Sequence, residues 1–205
     1  MDKTNRHDSV LRETRWLAAI IVPFLVVAFY ILFFRTSETA DLFAWGIAAP
    51  MTAMMLGAAY IGGAYFFARA ATAPRWHHIG VGFLPVTTFA SFMCAATVLH
   101  WDKFNQGHIS FYAWAILYFT TPVLVAAAWL RNRRTDSGGV EERDFRFSRP
   151  IRLVIGGAGC FYVAVAILLF IQPAAMIDVW PWELTLLTAR VVGGMLALLG
   201  VFGVT

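Results

Sequence analysis

Charge is what this sequence has least of. Only 14% of its 205 residues are Asp, Glu, Lys or Arg, and 60% are hydrophobic. An ordinary soluble domain has about 25% charged and roughly 45–50% apolar residues. A soluble fold of this length cannot bury so much apolar surface, so the excess requires lipid as a second solvent. Cysteine is nearly absent as well. Cys94 and Cys160 each stand alone in an apolar stretch, without CxxC or Cys/His ligand spacing. They read as small buried hydrophobes, which excludes a disulfide framework and a cysteine metal site. The motifs GxxxxGK[ST], HExxH, GxSxG and GxGxxG are all missing, so no nucleotide loop, zincin site, nucleophile elbow or dinucleotide fingerprint is expected. The apolar runs do not alternate with polar residues, which excludes a β-barrel.

What is present is a series of six apolar runs: Trp16–Phe34, Leu42–Ala68, Ile79–Leu99, Ile109–Leu130, Ile151–Ile171 and Glu183–Gly203. A span needs about 20 mostly apolar residues, and inside lipid each backbone group must be paired within its own segment. The fold class is therefore all-α, a polytopic integral membrane bundle of about six transmembrane helices in one domain over residues 1–205. The second run is long for a span and predicts tilt or an overhang at the interface. The first run has a basic flank but exceeds the usual signal-peptide core and lacks a clear cleavage site, so it reads as a retained span.

Lys and Arg fix the expected orientation. Lys3, Arg6, Arg12 and Arg15 precede the first span, and Arg69 and Arg75 follow the second. Arg131, Arg133, Arg134, Arg143, Arg146, Arg149 and Arg152 surround the fourth-to-fifth connection. Thirteen of the 16 basic residues thus fall on one side, with only Arg35 and Lys103 opposite. The positive-inside rule puts both termini and the 131–150 loop in the cytoplasm, in an inner (plasma) membrane. The formal net charge of +4 then reflects insertion and not nucleic-acid binding. The 131–150 loop, with turn chemistry at Asp136–Gly139, reads as a solvated connector; contact with anionic lipid or a partner is the alternative.

The eight tryptophans lie near span ends, as an aromatic belt would. Trp45…Thr52, Trp114…Thr120 and Trp182…Thr188 hint at three repeated hairpins, although the odd-numbered spans do not repeat. Pro23, Pro50, Pro85 and Pro122 fall inside runs and predict kinks. Ala53/Gly57, Ala58/Gly62, Ala59/Gly63, Ser91/Ala95, Ala189/Gly193 and Gly193/Ala197 are small-xxx-small pairs. They predict close packing, or a face for a second copy or another membrane protein. Cys94 and Cys160 fall about 22 and 14 Å from the same membrane boundary, too far apart in depth for a disulfide.

Candidate site residues are the polar groups inside or beside the spans. Arg190 is the strongest, because a mid-helix arginine costs at least ~2.5 kcal/mol on insertion scales. At about 100° per residue, Glu183, Leu187, Arg190, Gly194 and Ala197 share one face. That makes Glu183 the expected partner of Arg190 and Asp102 the second. The 100–108 loop carries His100, Asp102 and His108, whose spacing matches no known metal pattern. Thr87, Ser91 and Cys94 form a polar stripe that either lines a cavity or bonds back to its own helix. His77 and His78 read as interface residues.

The stretches HWDKFNQGHISFYAWAILYFTTP (His100–Pro122) and WPWELTLLTAR (Trp180–Arg190) resemble segments of a family of bacterial multi-spanning inner-membrane proteins. The resemblance implies a bacterial membrane setting and carries no activity, cofactor or catalytic residue. The last span reaches Thr205 with almost no tail, so the expectation is either that relatives are longer or that this sequence is a shortened piece. The residues carry furthest the reading of a non-enzymatic membrane component or accessory subunit, with no cofactor and no metal. The alternative is a small-molecule or ion permease whose outward vestibule is lined by Arg190, Thr87, Ser91 and the 100–108 loop. An intramembrane enzyme comes third, because no paired catalytic groups stand out.

Overall fold

The computed structural model describes residues 8–136 and 147–205. Six helices within them are long and apolar enough to cross a membrane. They are α1 (Arg12–Phe34), α3 (Pro50–Thr72), α4 (Gly80–Leu99), α5 (Ile109–Asn132), α6 (Arg149–Ile171) and α8 (Leu186–Val204), with the short helices α2 (Thr39–Leu42) and α7 (Pro173–Ile177) between them. The all-α membrane bundle read from composition is the observed architecture. Lys3, Arg6, Arg143 and Arg146, and all of the Asp136–Gly139 turn except Asp136, lie outside the described residues.

Helix α1 packs along α3, α6 along α8, and α4 lies between α5 and α8. Helix α8 is the centre of the bundle: 61% of its apolar window is buried, against 17% for α6, which leans on the outside of α8. The contact is close because glycines face each other. A Cβ on Gly159 would sit 2.8 Å from the Gly200 carbonyl oxygen, and one on Gly193 would sit 3.0 Å from that of Ala166. Gly57 is similarly pressed against Leu32 and Phe33 of α1. These small residues therefore bring helices of one chain together. Ala58 and Gly62, by contrast, lie exposed, with open space beside Gly62.

Two helix bounds differ from the apolar runs for the same reason. Residues 42–49 are apolar but do not join α3, which begins at Pro50, a residue suited to a first helical position and unable to continue an N–H ladder. Pro50 thus starts a helix and kinks none, while Pro23, Pro85 and Pro122 do lie inside helices. Likewise α8 begins at Leu186, after Pro181 and a reciprocal cap between Thr185 and Thr188. Glu183 is consequently in the preceding loop and shares no helical face with Arg190.

The bundle has two unlike ends. At the basic end, Arg15 donates to the carbonyls of Ala71 and Ala73 at 3.2 and 2.7 Å, satisfying the C-terminal carbonyls of α3. Asn132, fully buried, accepts from the Leu11 N–H at 2.9 Å and donates to Thr14 Oγ1 and the Ala128 carbonyl. Asp8 bonds the His77 imidazole and backbone N–H. Its own N–H and C=O pair with Thr135 and Trp76. At the opposite end, residues 43–47 fold inward as an aromatic plug: Phe43, Ala44, Trp45 and Ile47 are all buried. Their backbone is satisfied by Thr39 Oγ1, which accepts from the Ile47 N–H at 3.0 Å, and by Asn105, whose backbone N–H donates to Ala44 O at 2.8 Å and whose side-chain amide donates to Phe43 O at 3.3 Å.

The tryptophans divide accordingly. Trp45, Trp76 and Trp114 are buried, so they belong to the protein interior and not to an interfacial belt. Trp114 also lies within α5, whereas Trp45 and Trp182 precede their helices. The three tryptophans of the apparent repeat therefore hold different positions relative to their helices, while the six long helices do pack in consecutive pairs. Cys94 and Cys160 are both free. Cys160 is exposed on the outer face of α6, contrary to the buried reading.

Candidate functional site

Arg190 sits in the second turn of α8, about 6 Å along the axis from Leu186. Its side chain is half-buried between α8, α6 and the end of α4. Nε donates to the Phe170 carbonyl at 3.0 Å, close to the end of α6. Nη1 meets His100 Nε2. An arginine can only donate, so His100 must accept through Nε2 and carry its proton on Nδ1. His100 is 8% exposed. Burial and the neighbouring guanidinium hold its pKa below the ordinary value, with Asp102 opposing weakly. The pair is thus a charged donor on a neutral imidazole. The guanidinium also stands 5.8 Å over the Phe170 ring.

The expected Arg190–Glu183 pair does not form. Glu183 lies in a loop, exposed, and no carboxylate among the described residues makes an ion pair with Arg190. Asp102 is also exposed and pairs with Lys103 at 2.9 Å, held below its ordinary pKa chiefly by that contact. His108 caps α5, its Nδ1 accepting from the Ser110 N–H at 3.3 Å. Thr87 and Ser91 spend their hydroxyls on carbonyls of their own helix, at Phe83 and Thr87, each at 2.8 Å. Of the seven sequence candidates, Arg190 and His100 are joined side chain to side chain, and Thr87 and Ser91 meet only through a bond within their own helix. No group of three metal-ligating side chains occurs among the described residues.

Arg190 lines none of three cavities found among the described residues. One, ≈ 460 Å³, is an almost wholly apolar groove between α1 and α5 that reaches Tyr60. A second, ≈ 40 Å³, is interior and includes Tyr60, Tyr118 and Thr121 in its walls. The third, ≈ 500 Å³, lies at the aromatic end between the starts of α3 and α8 and is lined by Trp180, Trp182, Glu183, Thr185 and Thr188. Thr188 and Arg190 stand about 200° apart around α8, so the helix separates that cavity from the Arg190–His100 pair. Sequence alone assigns Trp180 and Trp182 to the belt; the Pro181 between them is the signal that they flank a turn rather than a helix.

Compared against protein families, curated proteins and solved structures, the chain gives no match.

Proposed function

We propose that this chain is a non-enzymatic component of a plasma membrane, with its basic end in the cytoplasm and Arg190 acting as an internal lock. The observation that carries this reading is that the Arg190 guanidinium bonds two neutral groups of its own chain, Phe170 O and His100 Nε2. One side chain thereby ties α8 to α6 and to the end of α4. The permease reading placed Arg190, Thr87 and Ser91 around a water-filled vestibule. The hydroxyls of Thr87 and Ser91 are instead engaged with their own helix, and Arg190 borders no cavity described above. The exposed Ala58/Gly62 face of α3 is the surface best suited to a second copy or a membrane partner. The orientation rests on the distribution of Lys and Arg and is tested by cysteine labelling in intact cells. Gly107→Cys should label from outside and Gly138→Cys should not; the reverse pattern inverts the topology.

The lock is tested by Arg190→Met alone and with His100→Phe, followed by thermal unfolding in detergent and by solute flux in proteoliposomes. The single variant should lower Tm, because the Phe170 carbonyl and His100 lose their donor. The double variant should recover part of the loss, because the unpaired imidazole is then removed while the Phe170 carbonyl still lacks its donor. Unchanged Tm in Arg190→Met together with loss of a specific flux would replace the lock by a transport site. The same geometry sets a pH dependence. His100 has a lowered folded pKa, so the unfolded chain binds its proton first on acidification. Its contribution to stability is complete above the ordinary histidine value of 6.5 and declines as pH falls below it. His100→Phe should flatten that part of the profile.

A further inference from the structure

We infer that the basic end of α5, at Trp129, Arg133 and Arg134, binds an anionic phospholipid, with the phosphate on the two guanidinium groups and an acyl chain along the helix beside them. Most charged groups of this end are already engaged. Arg15 is spent on backbone carbonyls, Asp8 on His77, and Arg131 is neutralised by Glu13 at 3.2 Å. Arg133 and Arg134 differ. Both are exposed, and neither makes an ion pair with any described residue. Arg133 is nevertheless held in position, its guanidinium 4.6 Å from the centre of the Trp129 ring. The ring face attracts a cation through its quadrupole and takes up none of its N–H donors. A guanidinium fixed in this way offers the planar donor fork that a phosphate accepts, with less side-chain freedom to lose on binding.

An apolar stripe leads up to these charges. Tyr112, Ile116, Phe119, Val123 and Leu130 are all exposed. At about 100° per residue they fall within about 60° of one another around α5. Helix α5 is one of the six apolar spans, so this face meets hydrocarbon. From Phe119 to Leu130 the helix rises about 16 Å, close to half of a ~30 Å hydrocarbon core. Arg133 caps the helix with right-handed helical dihedrals, so it projects between Trp129 and Leu130 around the axis, at the end of the stripe. The partner that fits is apolar over the depth of one leaflet and anionic at its end. A free phosphate lacks the first property and a zwitterionic lipid lacks the net charge.

Native mass spectrometry of the full chain, released from nanodiscs of equal phosphatidylglycerol and phosphatidylcholine, tests the site by the lipids that stay bound. The unmodified chain should retain phosphatidylglycerol in preference. Arg133→Gln and Arg134→Gln should each lower that preference about fivefold, the worth of one basic group at an anionic surface. Both residues are exposed, so these variants test binding without threatening the fold. Trp129→Leu keeps both charges and should lower the preference less, by releasing Arg133. Glu13→Gln combined with Arg131→Gln removes a neutral pair from the same end and should change nothing. Glycerol phosphate, a headgroup without chains, should not displace the lipid; displacement would overturn the assignment to a lipid. Absence of any preference, or equal losses in Arg149→Gln and Arg152→Gln at the start of α6, would mean diffuse attraction to the basic end and overturn the site. The site rests neither on the Arg190 lock nor on which way the chain is inserted, because both leaflets of the nanodisc hold the same lipids. The two proposals therefore fail separately.

Discussion

The two ends of the bundle solve one problem with opposite chemistry. Each must close off helix termini whose last N–H and C=O groups have no partner in their own helix. The basic end does so with few polar side chains, each making several bonds: Asn132 reaches the N-cap and first turn of α1 and its own helix, and Arg15 covers two carbonyls at the C-terminal end of α3. The aromatic end folds an apolar stretch inward. Phe43, Trp45, Phe104 and Trp114 pack edge to face, the closest pair being Trp45 and Trp114 at 4.8 Å. One end depends on donor–acceptor geometry and the other on filled volume. They should therefore respond differently to truncation.

The largest effect is expected at the plug. Trp45 is 2% exposed, and Trp45→Ala removes a large ring from close contact with three others, at a cost of about 3–5 kcal/mol. Trp45→Phe sharpens the point. The indole Nε1 has no hydrogen-bond partner, so phenylalanine keeps much of the volume while removing an unsatisfied donor. It should cost well under half as much as alanine. Equal losses for the two variants in thermal or denaturant unfolding would mean that the N–H matters and the volume does not.

Next comes the polar end. Asn132→Leu keeps bulk but leaves the Leu11 N–H and the Thr14 hydroxyl unpaired, at about 1–3 kcal/mol for the buried groups. Proteolysis should then clip the chain ahead of α1 more readily, because the Leu11–Asn132 bond is one of the ties holding that segment. Thr14→Val removes one partner and should cost less. If Asn132→Leu proved neutral, the basic end would be held by apolar contact like its counterpart, and the contrast would collapse.

The contrast also explains what could be read in advance. Six helices follow from hydropathy because lipid leaves the backbone no alternative. Hydropathy cannot tell apolar surface facing lipid from apolar surface facing protein, and so Leu42–Ala49 reads as membrane span although Phe43, Trp45 and Ile47 are buried by the protein. The punctuation was there, in Pro50 and in the Thr185/Thr188 cap, and it bounds α3 and α8 better than apolarity does. Arg190 was legible as a charge needing a partner. Its partner was not, because helical periodicity can only nominate neighbours on its own helix, whereas His100 is 90 residues away. Asn132 and Arg15 gave no signal of their own: an Asn at a span end and an Arg in a basic flank both look like topology markers.

The smallest effect, and the subtlest, lies between the two ends. Tyr60 and Tyr118, each 2% exposed, share a hydrogen bond of 2.8 Å in the bundle interior. Two phenols carry two O–H donors, and their mutual bond uses one. The second points toward whatever adjoins the pair, and both rings border the ≈ 40 Å³ cavity that also meets Thr121. A cavity of that size exceeds the roughly 10–15 Å³ that one water needs, and the hydroxyls supply polar partners. Interhelical side-chain hydrogen bonds in membrane proteins are worth about 0.6 kcal/mol on average. Tyr60→Phe and Tyr118→Phe should each cost on that order, since each strands the other hydroxyl. The double variant should cost no more than the worse single one, because removing both partners leaves two apolar rings of unchanged shape. Unfolding of all three variants in detergent measures this directly. A double variant destabilised by the sum of the singles would show that each hydroxyl has its own partner, and that the middle of the bundle is held, like its basic end, by independent polar bonds.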